Sequence, residues 1–283
     1  MAKLSLNIAK SLKALREASA SAGEYASIVL AGDQALVERA RERFAQGAPA
    51  PSSHAGSLSG PAGVAPAPGE LLVVLTTPGE ESEVVASLAA AAAKGPVIVA
   101  VDGGPGTRSK AGYLAGGIVR LSFSDNDAGW DRLFSLCAET AGDKGIALGR
   151  RYPAVRRAVA RRLIARTSAQ NVFIALVFFV PGSDMPAMTL NQAKMVLSIA
   201  AMYGESIDKE RAVELAGLAV LGFGFRGLGR LLVRALPGLA IVLRMVTAYS
   251  ATTAVGLGAI AYFEKGAPAS TSKVIALAGS MRH

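Results

Sequence analysis

The chain has 283 residues, 51% of them hydrophobic and 18% charged, with a formal net charge of +9. One cysteine, Cys137, and two histidines, His54 and His283, exclude a disulfide framework and a Cys/His metal centre. The charge is unevenly placed: residues 1–149 carry 13 Lys+Arg against 15 Asp+Glu, or −2, and residues 150–283 carry 17 against 6, or +11.

Residues 1–22 read as a short basic amphipathic helix, with Leu4, Ile8, Leu12 and Leu15 at helical spacing and Lys3, Lys10, Lys13 and Arg16 mostly on other faces. Such a helix either lies on a membrane or packs on its neighbouring domain. MAKLSLNIAKSLKAL has no uninterrupted apolar core, so no cleaved export signal is expected.

From Tyr25 a β-branched run ends at Gly32, and a helix follows that stops before Gly47. Residues 47–69, dominated by Ala, Pro, Gly and Ser without an apolar period, read as a flexible insert in which His54 has no co-ligand. LLVVLTTPG, from Leu71, reads as a buried strand and turn, and Glu80 to Lys94 as an Ala-rich helix with acids in its first turn, where the macrodipole favours them. PVIVAVDGG is a second buried strand, followed by a loop holding Arg108 and Lys110. GIVRLSFSD is a third, followed by a helix from Asp127 to Ala141 in which Trp130, Leu133, Phe134 and Cys137 supply the apolar stripe. Cys137 reads as a small core residue. Short strands alternating with helices predict an α/β domain over residues 24–149, built from four βα units around a parallel sheet.

IVLAGDQALVERARERF resembles the first strand and helix of a Ras-like or Era-like GTPase, and PVIVAVDGG and IVRLSFSDNDAGWDRLFSLCAETAG are similar to its later strands. The nucleotide chemistry is missing. A phosphate loop needs G-x-x-x-x-G-K-[ST], but Gly32 is followed by Asp33-Gln34-Ala35-Leu36. Leu75 to Gly79 stands in place of Asp-x-x-Gly, and Val101-Asp102-Gly103-Gly104 in place of Asn-Lys-x-Asp. The resemblance therefore implies a pseudo-GTPase without nucleotide or other cofactor. Gly103-Gly104-Pro105-Gly106 lacks a following lysine at the right distance and reads as a turn.

A helical, membrane-associated domain is predicted over residues 150–266, with a tail at 267–283. Its lead-in holds Arg150, Arg151, Arg156, Arg157, Arg161, Arg162 and Arg166, and ten apolar residues, Val172 to Pro181, follow before a loop containing Asp184. Ten residues span about 15 Å as a helix against a hydrocarbon core of about 30 Å, so this arm inserts part way or packs in a soluble bundle. Arg226, Arg230 and Arg234 repeat every four residues along one helical face, suited to lipid phosphates or an acidic partner, or simply solvated. Met245 to Phe263 is a run of 19 uncharged residues, near spanning length, and Ala248, Thr252 and Gly256 form a small-residue stripe for close helix packing. The arginines, the Pro181 and Asp184 loop, LNQAKMVLSIAAMYG and the Gly-rich helices resemble the helical domain of the YcjF-like bacterial membrane proteins, which implies no reaction.

A basic, aliphatic, aromatic-poor half suits an anionic membrane surface better than nucleic acid. The expected fold is a Ras-like parallel sheet with lost nucleotide motifs followed by a basic, apolar helical bundle. The expected function is a non-catalytic adaptor on the cytoplasmic face of a membrane, engaging a GTPase or a second copy of itself. Alternatives are a degenerate nucleotide-binding enzyme and a Gly-rich helical oligomer with a channel-like or transport role. No hydrolytic constellation is visible, because the histidines stand alone and no Ser or Cys has a base nearby in sequence.

Overall fold

A computed structural model describes residues 27–46, 51–55, 70–88, 92, 95–177, 185–205 and 240–265. The chain divides into two compact units between Arg162 and Leu163.

The first unit is a six-stranded sheet in the order β2-β1-β3-β4-β6-β5. Its strands are β1 (Ser27–Gly32), β2 (Ser52–Ala55), β3 (Glu70–Thr76), β4 (Val97–Asp102), β5 (Lys110–Tyr113) and β6 (Val119–Phe123). All neighbours pair in parallel except β5, which runs antiparallel to β6. After their first residue, β1 and β3 are buried at every position, as is β4 up to its last. That unbroken burial is what a parallel sheet covered on both faces imposes, and it explains why these segments are continuous apolar runs rather than alternating ones. Helices α1 (Gln34–Ala45), α2 (Glu81–Ser87), α3 (Asp127–Thr140) and α4 (Gly145–Arg151) complete the unit.

Three expectations are corrected here. The insert expected to be flexible at 47–69 holds a strand: Ser52–Ala55 pairs with Val29–Gly32 as an edge strand. SSHA carries no strand-like apolar pattern, and main-chain pairing to β1 is what makes it a strand. Among the described residues the four βα units are three, because β4 leads through a Gly-rich turn into β5 and back through a single 3-10 turn (Ala115–Gly117) to β6 without an α-helix. The loop expected around Lys110 is thus an edge strand. Finally, the parallel strands run 2-1-3-4-5, the flavodoxin-like doubly wound order. This sets β1 between β2 and β3, whereas the Ras-like resemblance implies a first strand lying between the third and fourth.

Tyr152 explains why the unit boundary falls beyond residue 149. Its ring is fully buried against Phe44, and its hydroxyl accepts a hydrogen bond from the Ile28 amide at 3.1 Å. The residues flanking Tyr152 are thereby fastened to β1 and α1, so the compact first unit runs on through Arg162, into α5 (Pro153–Val177). Phe123, Trp130, Phe134 and Phe44 form the rest of this aromatic cluster, edge to face in two pairs.

The second unit is built on α5 from Leu163 onward, α6 (Met185–Met202) and α7 (Ala240–Glu264). Ile164 fills the space above Gly256, where an added Cβ would lie 2.4 Å from the Ile164 Cγ1. Ser168 and Thr253 hydroxyls meet at 3.0 Å, and Ala175 clusters with Met188 and Ala248. These contacts run α5 antiparallel to α7. Met188 with Ala248, Gln192 with Thr252 and Tyr203 stacked on Phe263 at 5.7 Å run α6 parallel to α7. The close packing expected at Ala248, Thr252 and Gly256 is therefore made by helices of this same chain.

The N-terminal helix, Pro181 and Asp184, Arg226, Arg230 and Arg234, and the tail lie outside the described residues.

Candidate functional site

Two places merit a site: the carboxyl edge of the sheet, where doubly wound folds bind ligands at the switch in strand order, and the surface of the helical unit.

At the sheet edge, β1 ends at Gly32 with φ +115°, and a Cβ there would lie 2.0 Å from the Leu75 carbonyl oxygen. The Asp33 amide bonds that same oxygen at 2.9 Å. Asp33 then caps α1, its carboxylate accepting the Leu36 amide at 2.9 Å. A phosphate loop offers its free helix-terminal amides to an anion. Here one of those amides is already taken, and by a negative charge.

The β4 end is closed in the same self-contained way. The Asp102 carboxylate accepts the Gly104 amide at 3.0 Å, and Ser124 Oγ lies 2.7 and 3.0 Å from the Gly104 and Thr107 carbonyl oxygens. Glu81 and Arg120 form a two-pronged ion pair, with Arg120 also donating to Ser122 at 2.6 Å. Hydrogen bonding from Arg120 holds the Glu81 carboxyl below its ordinary range and raises the guanidinium in turn. Cys137 is fully buried, which pushes its thiol up to about 12, so it is an inert core residue as its sequence setting predicts. No cluster of three or more His, Cys, Asp or Glu residues suited to a metal occurs among the described residues.

The arginines separate into two sets. Arg156 donates to the Gly149 and Arg150 carbonyl oxygens at 2.9 and 3.4 Å, satisfying the C-terminal end of α4, and Arg151 lies over the Tyr152 ring. These two have structural work within the first unit. Arg151 is nonetheless exposed, as are Arg150, Arg157, Arg161, Arg162 and Arg166, while Arg156 is half-buried. Along α5 the exposed positions then change character to Phe173, Leu176 and Val177.

Helix α7 carries the most unusual surface. Ala248, Ala251, Thr252, Gly256 and Ala259 face inward, whereas Ile241, Val242, Val246, Tyr249 and Leu257 are 46–60% exposed. Ile241–Glu264 is long and apolar enough to cross a membrane, with mean hydropathy 1.2 and only 28% of that window buried. A core helix of a soluble domain would bury the large side chains and expose polar ones. From Ile241 to Leu257 this helix does the reverse, and only Ile260 and Phe263 near its C-terminal end are both large and buried.

Its inward face meets a buried polar network that the sequence reading missed. Thr252 Oγ1 receives hydrogen bonds from Asn171 Nδ2 at 2.9 Å and Gln192 Nε2 at 3.0 Å and donates to the Ala248 carbonyl at 2.8 Å. Asn191 donates to Asn171 Oδ1 at 3.2 Å, and Asn171, Gln192 and Thr252 are each at most 1% exposed. The available signal was Asn171 beside the apolar run and Gln192 within LNQAKMVLSIAAMYG. Nothing in linear spacing says that both reach Thr252. Beside this network a shallow open groove of about 520 Å³ is lined by Ala169, Gln170, Phe173, Ile174 and Asn191. The network is uncharged and internally satisfied, so it is equipped to bind helices together rather than to move protons or bind an ion.

No protein-family model, curated protein or solved structure matches this chain.

Proposed function

We propose that this protein is a non-catalytic, membrane-associated scaffold on the cytoplasmic face of a membrane, with lipid on the helical unit and a protein partner, a GTPase or a second copy, on the sheet unit. The observation carrying this reading is the inverted helix α7, which packs small residues inward and turns Val242, Val246, Tyr249 and Leu257 outward. Outward apolar side chains cost free energy in water, about 25 cal/mol for each Å² left exposed, and that cost vanishes in hydrocarbon. Exposed arginines on α5 supply the cationic surface that anionic headgroups attract. The resemblance to YcjF-like membrane proteins agrees with this reading.

For the sheet unit, Asp33 seated at the N-cap of α1 and the absence of a phosphate-loop lysine support a domain without nucleotide. Its doubly wound strand order favours a pseudo-enzyme scaffold of general α/β type over a Ras-like one.

Membranes from cells expressing the full chain, washed with alkaline carbonate, should retain it. Recovery in the cytosolic fraction overturns the membrane reading. Calorimetric titration with GTP and magnesium should give no heat of binding, and micromolar affinity overturns the non-catalytic one.

A further inference from the structure

Strand β5 closes one end of the sheet, and among the described residues its far edge pairs with no other strand. The Leu114 amide, which donates to the Ile118 carbonyl at 2.8 Å, continues the register that sets Tyr113 against Val119 and Gly112 against Arg120. Bonded and unbonded positions alternate along an antiparallel pair. Lys110 and Gly112 therefore direct their amides and carbonyls at β6, whereas Ala111 and Tyr113 turn theirs outward. No hydrogen bond among the described residues engages those outward groups.

Gly112 lies between them, and nothing inside the protein requires a glycine there. Its φ is not left-handed, the register passes it without a bulge, and a Cβ would meet nothing within 4 Å. A glycine weakens a strand, and where no bulge or bend accounts for it, it marks close approach by another backbone. On the outer edge, Gly112 holds an unbonded position, where two antiparallel strands come nearest, at about 4.5 Å between Cα atoms. Beside it Tyr113 is 84% exposed and shares a face with Ala111.

We infer that β5 pairs with β5 of a second copy, antiparallel about a twofold axis at Gly112, joining two sheets into one. Each position of the edge suits this register. Ala111 falls opposite Tyr113 of the second copy and Tyr113 opposite its Ala111, so every outward amide and carbonyl of the two residues gains a partner. The large Tyr113 ring then crosses a methyl group, and glycine faces glycine at the axis. Lys110 falls opposite Leu114 of the second copy and about 14 Å from its own mate, past the roughly 8 Å over which charges act at physiological salt. An edge guarded against self-pairing would set like charges opposite each other. Here they are staggered.

A strand of four residues makes a small interface, so the pairing is weak in free solution and gains where copies are held on one surface. Only that gain draws on the membrane reading. The pairing itself rests on the scaffold reading of the sheet unit, and of its two partners, a GTPase or a second copy, it selects the second copy.

Disulfide cross-linking of the full chain in mild detergent tests this. Cys137 is the only native cysteine and is fully buried, so Gly112→Cys, whose side chain enters open space, presents one reactive thiol at the axis. Its mate there lies within disulfide range. Lys110→Cys presents a thiol at an equally exposed position whose mate lies out of range. Mild oxidation should convert Gly112→Cys to a covalent dimer on the order of tenfold faster than Lys110→Cys, which can form one only by collision. Equal rates, or no dimer from either, overturn the pairing and leave membrane association to be decided by the carbonate wash. In a second arm, Ala111→Pro removes an outward amide that β6 does not use, a change an edge strand tolerates. Added to Gly112→Cys, it should return cross-linking to the collisional rate with the thermal midpoint of the sheet unit unchanged. Undiminished cross-linking with the proline in place also overturns the pairing.

Discussion

Helices α3 and α7 bury opposite kinds of side chain. On α3, Trp130, Leu133, Phe134 and Leu136 face the sheet and Asp131 and Glu139 face out. On α7, Ala248, Thr252 and Gly256 face in, and Val242, Val246 and Leu257 face out. The first arrangement gains its free energy by removing large apolar surface from water. The second gains little that way and relies on close backbone approach and satisfied hydrogen bonds, which is how helices hold together when the surroundings are themselves apolar. One chain thus carries two folding strategies, and the chemistry of each outer surface follows from the strategy beneath it.

The contrast can be broken most sharply at glycine. Gly32→Ala puts a methyl 2.0 Å from a backbone oxygen at φ +115° and should cost roughly 3 kcal/mol or more in a urea melt of the sheet unit. Gly256→Ala meets only the Ile164 side chain, which can change rotamer, and should cost about 1–2 kcal/mol, seen as faster hydrogen exchange in α5 and α7 with α3 unaffected. Equal losses at the two positions would erase the distinction between a backbone clash and a repackable contact.

A matched pair of valines sharpens the same comparison. Val99→Ala, in a strand position with no exposure, should lower stability by roughly 2 kcal/mol through lost burial and the cavity left behind. Val246→Ala, 56% exposed, should change the thermal midpoint in aqueous buffer hardly at all, within about 0.5 kcal/mol. A comparable loss at Val246 would mean that the outward face of α7 is already covered in water.

A loss smaller than that at Val99 is electrostatic and confined to the sheet unit. Arg120 depresses the Glu81 carboxyl below its ordinary value of 4.5, so the pair stabilises the fold fully above that pH, and the contribution is lost as pH falls through the depressed value. Glu81→Gln should cost about 1 kcal/mol at neutral pH and flatten the acid limb of a denaturation curve. An acid limb as steep as the parent's would assign the loss to other carboxylates.

Much of the sheet was legible in linear order. β1, β3 and β4 announce themselves as unbroken aliphatic runs because both faces of a parallel sheet are covered, and β6, VRLSF, shows itself by alternation, buried at Val119, Leu121 and Phe123. β2 and β5 were not legible, since SSHA and KAGY at the sheet edges are held by main-chain pairing that leaves no apolar pattern. The strand order was hidden for a related reason: two windings of a parallel sheet share the same alternation of strand and helix. In the helical unit the small stripe on α7 was visible but its occupant was not. Nor was the convergence of Asn171 and Gln192 on Thr252, which depends on how three helices slide past one another.

By itself the sequence determined the two unlike halves, the absence of a phosphate-loop pattern after Gly32, the inert cysteine and the near-spanning length of α7. Those follow from composition and local spacing, which do not depend on what lies across the fold. Only the tertiary structure decided that β1 sits between β2 and β3, that Arg156 donates to the last carbonyls of α4, and that Asn171 and Gln192 converge on Thr252. Each of these joins residues distant in the chain, and their meeting is selected by the packing of whole elements against one another rather than by any local preference.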